Sequence, residues 1–221
     1  MSTSTGTTIA IIGGHGKIGL LASDELSAAG HTVLSVIRNP QHATEVEAAG
    51  AVAVVIDIES ATAEELAAAI GPVDSVIFTA GAGGGSGVER KETVDHQGAV
   101  KSLDAATEVG ATRFVIVSYI GADDPASGGD DPSMMAYQRA KAAADDAVRA
   151  SSIDWTIVRP GGLTDSPAGG IAVGDVTGKT SRASVARVLA LLVTENPLPK
   201  TVLNVIDGDT EIGEALTALG S

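Results

Sequence analysis

The sequence contains no cysteine and few aromatic residues. The absence of Cys from its 221 residues excludes disulfides, thiolate metal ligands and a cysteine nucleophile. The two Phe, two Tyr and one Trp are scattered along the chain, so they form no run on which nucleic-acid bases stack. The four His occupy separate segments without the spacing of a metal site, and we therefore expect no bound metal.

Positive charge is also scarce, with 14 Lys and Arg against 28 Asp and Glu and a net charge of -14 at pH 7. A chain without a basic stripe does not suit a phosphate backbone, which excludes nucleic acid as a partner. No apolar run reaches the length of a membrane span, and residues 1–8 lack the basic and apolar regions of a signal peptide. We therefore expect a cytoplasmic protein that binds no membrane and carries its acidic residues on a solvated surface.

Short β-branched runs alternate with Ala-rich helical stretches along the whole chain. Most of the runs are continuous in Val and Ile, which is typical of strands covered on both faces. This alternation favours right-handed crossovers and a doubly wound parallel sheet, the Rossmann fold. We predict one α/β domain over residues 1–221, with a small C-terminal region on the substrate side. The strands are predicted near 8–12, 32–37, 51–56, 73–79, 113–118, 154–158 and 201–205, and the helices near 18–29, 41–49, 63–70, 92–109, 134–150, 184–194 and 211–219.

Three irregular stretches interrupt the alternation, and each follows a predicted strand. They cover residues 81–87, 121–132 and 161–180. Since the carboxyl ends of parallel strands meet at one edge of a sheet, these loops predict a binding cleft there with mobile walls.

The first predicted strand runs directly into a glycine-rich turn that opens the first predicted helix. Glycine suits a turn with positive φ and a close approach of the backbone to a pyrophosphate, which then faces the free N–H groups of the helix. A purely structural turn is the alternative, but the strand–turn–helix context is the one that a dinucleotide motif requires. The residues predicted to bind the dinucleotide here are Gly13, His15, Gly16, Lys17, Ile18 and Gly19.

The end of the second strand carries a basic residue and no carboxylate. An NAD site usually has an acid there, whereas an NADP site has a basic residue for the extra phosphate. Arg38 suits a phosphate through its planar guanidinium, with His15 and Lys17 as further donors, so NADP is favoured over NAD. Arg38 as an ordinary surface residue is the alternative, and Asn39 before Pro40 also suits a helix cap.

Two further strand ends are predicted to contact the cofactor. After the third strand, Asp57 suits a hydrogen bond to the adenine amino group, with Ile58 offering its backbone; a turn or cap carboxylate is the competing interpretation of Asp57. Thr79, Ala80 and Gly81 end the fourth strand with small residues, which lets the cofactor ribose approach the backbone.

Tyr137 and Lys141 lie one helical turn apart, after a fifth strand that ends at Ser118. An ammonium beside a phenol stabilises the phenolate and so lowers its pKa from about 10, and the same Lys suits the nicotinamide ribose. Ser118 suits a hydrogen bond to a substrate carbonyl or hydroxyl. We predict that Ser118, Tyr137 and Lys141 form a proton relay.

These segments together resemble an atypical member of the short-chain dehydrogenase/reductase superfamily, in its group of small extended-type NAD(P)-binding proteins. The resemblance spans nearly the whole chain and includes residues 94–100, 113–118 and 155–163. It implies that Pro160, Gly161 and Leu163 belong to the cofactor wall. The short chain after the sixth strand implies a small-molecule substrate, and the pairing of long helices in this superfamily implies a possible homodimer.

The favoured function is an NADP-dependent oxidoreductase that transfers a hydride between the nicotinamide and a small carbonyl or alcohol. Tyr137 is its predicted general acid in reduction. An NADP(H)-sensing regulatory protein without turnover is one alternative, and an isomerase or epimerase with tightly held cofactor is another. The pairing of Tyr137 with Lys141 favours the enzyme, because a sensor needs no proton relay.

Overall fold

The structure, a computed structural model, describes residues 6–220. Ten strands form one large and one small sheet, and the predicted α/β class is confirmed. In chain order the strands are β1 Thr8–Ile12, β2 Thr32–Ile37, β3 Val52–Val55, β4 Ser75–Phe78, β5 Arg113–Val117, β6 Asp154–Pro160, β7 Gly162–Thr164, β8 Gly170–Val173, β9 Lys179–Ser181 and β10 Thr201–Gly208.

The large sheet has the strand order β3-β2-β1-β4-β5-β6-β10-β8. Its first seven strands pair in parallel, and β8 pairs antiparallel with β10 at one edge. The chain changes its winding direction between β1 and β4, and a doubly wound sheet has its crevice outside the carboxyl ends of the strands at that point. β7 and β9 form a separate parallel pair.

Helices cover both faces of the sheet, as the apolar strands predicted. They are α1 Lys17–Ala28, α2 Ala43–Ala48, α3 Ala63–Ile70, α4 Val88–Arg90, a π-helical segment Lys91–Gln97, α5 Gly98–Glu108, α6 Pro132–Ala150, α7 Arg182–Thr194 and α8 Ile212–Leu219. Within residues 6–220, no helix combines the length and the apolar character that crossing a bilayer requires.

Side chains of the central strand β1 alternate between two hydrophobic cores. Ile9 and Ile11 pack in the core that contains residues of α1, α7 and α8. Ala10 and Ile12 face the opposite way and pack in the core that contains residues of α3, α5 and α6. Because successive side chains of a strand point to opposite faces, β1 contributes to one core on each face of the sheet. The loops lie at the edge where the strands end.

The prediction that residues 161–180 are irregular was wrong. This stretch contains β7 and β8, and β9 begins in it. Its strands are only three or four residues long, which is too short for a residue pattern to distinguish them from loop. β8 forms against β10, more than thirty residues later in the chain, and that partner is invisible in the local sequence.

We expect the side chains buried between the sheet and α7 to contribute strongly to the free energy of unfolding. Leu189 is fully buried, so Leu189→Ala should lower the free energy of unfolding by about 2–5 kcal/mol through lost burial and a residual cavity. Leu219→Ala is the matched control, since Leu219 is 46% exposed and should change stability by about 0.5 kcal/mol or less. Urea unfolding followed by circular dichroism measures both. Equal losses in the two variants would contradict the assignment of the core.

Candidate active site

Two adjoining cavities form one cleft at the carboxyl ends of the parallel strands. The first, of about 220 Å³, lies between the glycine turn and the ends of β2, β3 and β4. The second, of about 420 Å³, lies between the ends of β4 and β5 and the helix α6. Both are lined by Thr79, Ala80 and Gly81, which places the cleft at the crevice that the strand order predicts.

The glycine turn fits a close approach of backbone and ligand. Gly13 has φ +88°, and a Cβ at this residue would lie 2.6 Å from the Ala80 nitrogen. A Cβ at Gly19 would lie 2.6 Å from the Gly13 carbonyl oxygen, so the helix start needs glycine as well. Thr79 Oγ1 donates to the carbonyls of Ile12 and Gly13 at 3.1 and 3.3 Å. α1 begins at Gly16 without a side-chain cap, which leaves its first N–H groups for an anionic ligand.

The second cavity brings Ser118, Tyr137 and Lys141 together on one wall. Lys141 is only 3% exposed, and its Nζ donates to the Val117 carbonyl at 2.8 Å. The same Nζ lies 3.6 Å from Oδ1 of Asp95, a residue that is 1% exposed. Oδ2 of Asp95 accepts from the Ala82 N–H at 3.1 Å, whereas Oδ1 has no hydrogen-bond partner within residues 6–220. Burial lowers the pKa of Lys141, and the neighbouring Asp95 opposes this shift.

The pKa of Tyr137 shifts in the direction opposite to the sequence-based expectation. Burial raises the pKa of this phenol, and the negative charge of Asp95 raises it further. The expected stabilisation of a phenolate by Lys141 is offset because Asp95 neutralises the same ammonium. Tyr137 is therefore a protonated phenol at neutral pH.

Ser118 differs from its predicted role as a free hydrogen-bond donor. Its Oγ donates to Oδ2 of Asp145 at 2.9 Å, and both side chains are buried. Arg159 donates to the same carboxylate oxygen through Nη2 at 2.7 Å and through Nε at 3.0 Å. The hydroxyl proton of Ser118 is thus engaged, while its oxygen lone pairs remain able to accept.

The first cavity contains Arg38, which the sequence predicted to bind the cofactor, and Glu59, an acid that the sequence analysis did not predict. Arg38 donates to Oε2 of Glu59 at 2.8 Å, and its side chain is 56% exposed. Arg90 and Thr93 donate to the same carboxylate, each at 2.7 Å. The hydrogen bond from Arg90 is the largest cause of the lowered pKa of Glu59, so this acid is ionised beside Arg38.

Most of the predicted cofactor residues face this cleft, but not in every predicted manner. Asp57 Oδ1 accepts from the backbone N–H of Glu59 at 3.0 Å, which is the competing turn role. His15 stacks on His42 with ring centroids 3.5 Å apart. The first cavity is lined by the predicted residues Gly13, His15, Gly16, Arg38, Asp57, Ile58, Thr79, Ala80 and Gly81, and the second by Ile18, Thr79, Ala80, Gly81, Ser118, Tyr137, Lys141 and Leu163.

Five residues predicted to bind the cofactor line neither cavity, and three of them, Lys17, Gly19 and Asn39, lie at the glycine turn and the end of β2. Lys17 forms an exposed ion pair with Asp165 at 2.6 Å. Asn39 accepts from the Gln41 N–H at 3.0 Å and caps the short 3₁₀ turn that Pro40 opens, which is its alternative role. Gly19 supports the glycine turn from within α1, so it acts through packing rather than by facing the cleft.

The prediction that Pro160 and Gly161 belong to the cofactor wall is not met by the geometry. Both line a third cavity of about 270 Å³, together with Tyr119. The reason is that β6 continues through Pro160, which is opposite Val205 of β10, instead of ending at residue 158. Only Leu163 of this segment reaches the second cavity.

Comparison with known proteins identifies the family. Residues 13–196 match the family model described as NAD(P)H-binding. The chain belongs to this family. The match contains the glycine turn and the residues that line both cavities.

Relatives of this NAD(P)H-binding protein carry different names. The "uncharacterized sugar epimerase YhfK" of Bacillus subtilis is 36% identical, over 95% of this chain and 98% of its own. A solved structure from Bacillus halodurans with the provisional name NAD-dependent epimerase/dehydratase has a TM-score of 0.88 and 32% identity, over 97% of this chain and all of that one. ChuY of Escherichia coli O157:H7, named an anaerobillin reductase, has a TM-score of 0.75 and 25% identity, over 93% of this chain and 99% of its own.

Sequence reasoning missed the buried acids of the site. Asp95 and Asp145 were expected on a solvated surface with the other acidic residues, yet both are buried. Glu59 was not predicted because the sequence rule for NAD and NADP concerns the residue at the end of β2, whereas Glu59 follows the neighbouring strand β3. The available signal was the pairing of β2 with β3, which places the turns after both strands at one edge of the sheet.

A side chain at Gly16 should block the cofactor without disturbing the fold. Gly16→Val places a branched side chain at the start of α1 in the first cavity, so we expect cofactor affinity to fall at least about a hundredfold. Gly87→Val is the matched control: Gly87 precedes α4 with φ -64° and ψ 162°, close to φ -61° and ψ 152° at Gly16, and it faces open space. Calorimetric titration with NADPH measures both. Wild-type affinity in a natively folded Gly16→Val would show that the turn does not hold the pyrophosphate.

Proposed function

We propose that the protein is a cytoplasmic NADPH-dependent reductase of a small carbonyl compound. The observation that carries this proposal is the placement of Tyr137, Lys141 and Ser118 in the cavity that adjoins the glycine turn. The family provides the NAD(P)H-binding fold, and a named reductase among the relatives supports hydride transfer as the reaction type. Arg38 supports NADPH over NADH, because a guanidinium pairs bidentately with a phosphate.

The residues of the cleft fit a dinucleotide. Gly16 leaves space in the first cavity that a side chain would occupy, and the uncapped start of α1 supplies N–H groups for the pyrophosphate. Bound NADPH supplies the hydride. Lys141 is held by the Val117 carbonyl and faces Asp95, so its remaining N–H groups lie at a fixed place for the ribose hydroxyls.

Tyr137 provides the proton in this proposal. Its raised pKa keeps the phenol protonated at neutral pH, so a proton is available for the oxygen of a carbonyl as that oxygen becomes an alkoxide. Ser118 releases its hydroxyl to the substrate by turning away from Asp145. The two hydrogen bonds from Arg159 to Oδ2 of Asp145 remain after this rotation, so the carboxylate keeps its cationic partner, and Oδ1 has no hydrogen-bond partner among the described residues before or after it.

An epimerase that keeps its cofactor is the second candidate, supported by the name of the relative YhfK. Epimerisation through a ketone begins with oxidation of a hydroxyl, which needs a base at Tyr137 rather than an acid. Burial and the charge of Asp95 disfavour the phenolate that oxidation needs, and the same raised pKa makes the phenol a weaker acid for reduction. Reduction is placed first because a named reductase is among the relatives.

Tyr137→Phe should remove the proton donor and leave the cofactor in place. With NADPH and an accepted carbonyl substrate, we expect kcat to fall by about a hundredfold or more, the usual scale for a lost general acid. Tyr119→Phe is the matched control, since the Tyr119 ring lies 5.1 Å from that of Tyr137 and its hydroxyl bonds Ser127 instead of facing the second cavity. Its kcat should stay within about threefold of wild type. Absorbance of the nicotinamide follows turnover, and a Tyr137→Phe enzyme with most of its activity would exclude the phenol as donor.

Arg38 should determine the preference for the phosphorylated cofactor. We expect NADPH to bind at least tenfold more tightly than NADH, about 1.4 kcal/mol, and Arg38→Ala to remove most of this difference. Arg187→Ala is the control, because Arg187 forms a comparable 2.8 Å ion pair with Glu25 and lines neither cavity. Calorimetric titration of both cofactors gives the ratio. An unchanged ratio in Arg38→Ala would contradict the assignment.

A further inference from the structure

Lys91 is a buried cation that the reaction proposed above does not use. It lies on the π-helical segment, it is 7% exposed, and its side chain lines the second cavity. Its Nζ donates to the Gly83 carbonyl at 2.8 Å. Among residues 6–220, no carboxylate forms an ion pair with it.

Lys91 has no carboxylate partner among the charged residues that line the second cavity. Four charged side chains line the second cavity: Lys91, Asp95, Lys141 and Arg182. Asp95 pairs with Lys141, and Arg182 pairs at 2.6 Å with Asp165, a carboxylate that Lys17 also contacts at 2.6 Å. Lys91 is therefore the cation of this lining that has no carboxylate partner among residues 6–220, although the whole chain carries a net charge of -14. A buried ammonium without a counter-ion costs free energy, and only one of its three N–H groups donates here.

We propose that Lys91 binds a carboxylate of the substrate, so that the substrate class is a small oxo acid. The inference rests on the proposed reductase function and specifies its substrate. Lys91 presents one ammonium that donates to the Gly83 carbonyl, and one ammonium suits the single charge of a carboxylate. A carboxylate also takes up the N–H groups of Lys91 that have no acceptor in the protein.

The distances around Tyr137 fit a molecule of this size. The Lys91 Nζ lies 5.3 Å from the centroid of the Tyr137 ring, and the Lys141 Nζ lies 5.9 Å from the same centroid. Both ammonium groups therefore lie beside the ring of Tyr137 in the same cavity. In a 2-oxo acid the carbonyl carbon is bonded directly to the carboxylate, so a carboxylate held by Lys91 keeps the reacting carbonyl in the cavity that Tyr137 lines.

A structural role for Lys91 predicts a different result from a binding role. If the side chain served only to hold the Gly83 loop, a neutral amide that donates to the same carbonyl would replace it. Lys91→Gln keeps a donor and removes the charge. It should therefore spare neutral substrates and impair only acids, if Lys91 binds the carboxylate.

The test compares 2-oxo acids with their methyl esters, with NADPH as the hydride source. In the wild type we expect kcat/KM to favour the acid at least about tenfold, because the charged hydrogen bond is absent in the ester. In Lys91→Gln this ratio should fall to near one through loss on the acid alone. Lys200→Gln is the control, since Lys200 also bonds only backbone carbonyls, those of Ser151 and Ile153, and lines neither cavity. Equal turnover of acid and ester by the wild type, or an equal loss on both in Lys91→Gln, would overturn the carboxylate site.

A binding measurement separates this inference from the reductase proposal. The NADPH-loaded protein is titrated calorimetrically with the same acids and esters, which requires no turnover. Preferential binding of the acid that is lost in Lys91→Gln, without oxidation of NADPH, would support the carboxylate site and reject the reductase. Turnover without any preference for the acid would support the reductase and reject the carboxylate site. If neither acid nor ester binds, the carboxylate site is rejected.

Discussion

The buried ion pair between Asp95 and Lys141 is the interaction on which the rest of the second cavity depends. It joins the π-helical segment to α6 and, through the Val117 carbonyl, to the end of β5. The pair also sets the electrostatics of the cavity, because Asp95 neutralises the ammonium that would otherwise stabilise a Tyr137 phenolate. Since Asp95 is occupied by Lys141, the neighbouring Lys91 is left as the unmatched cation. The contact thus holds Lys141 in place and leaves Lys91 without a carboxylate partner in the described part of the chain, while burial, with the charge of Asp95 as a smaller cause, raises the pKa of Tyr137.

A second network of ion pairs and hydrogen bonds holds Ser118 on the same wall of the cavity and extends from buried Asp145 to exposed Asp123. Asp145 receives Ser118 and Arg159, and Arg159 extends to Asp123 with contacts of 2.7 and 2.8 Å. The hydrogen bonds from Arg159 are the largest cause of the fall in the pKa of Asp123 to about 2, so this acid is ionised at neutral pH. Because Asp145 keeps a cationic partner, Ser118 is the member of the network that can rotate at low cost. The network therefore positions a hydroxyl rather than a charge at the cavity.

The features that depend on a local residue pattern could be predicted from the sequence. Continuous Val and Ile runs predicted the central strands because burial on both faces acts on each strand separately, and the glycine turn was identifiable because its strand–turn–helix context is local. What the sequence did not show depends on partners far along the chain. β8 forms only against β10, Glu59 reaches Arg38 only because β2 pairs with β3, and Asp95 reaches Lys141 only because the π-helical segment packs on α6. Ser118 and Tyr137 differ from their predicted behaviour because of Asp145 and Asp95, whose positions near them do not follow from the spacing of residues in the sequence.

The overall acidity of the protein and the local positive charge of the cleft act over different distances. A net charge of -14 repels an anionic substrate at long range, but at physiological ionic strength such fields are screened beyond about 8 Å. Inside the cleft, Lys91 lies among buried groups where the effective dielectric constant is lower and its attraction is stronger. Recognition of a carboxylate would then occur after entry rather than by steering from solution. It follows that added salt should change the association rate of an acid and an ester by different factors, while discrimination between them inside the cavity persists.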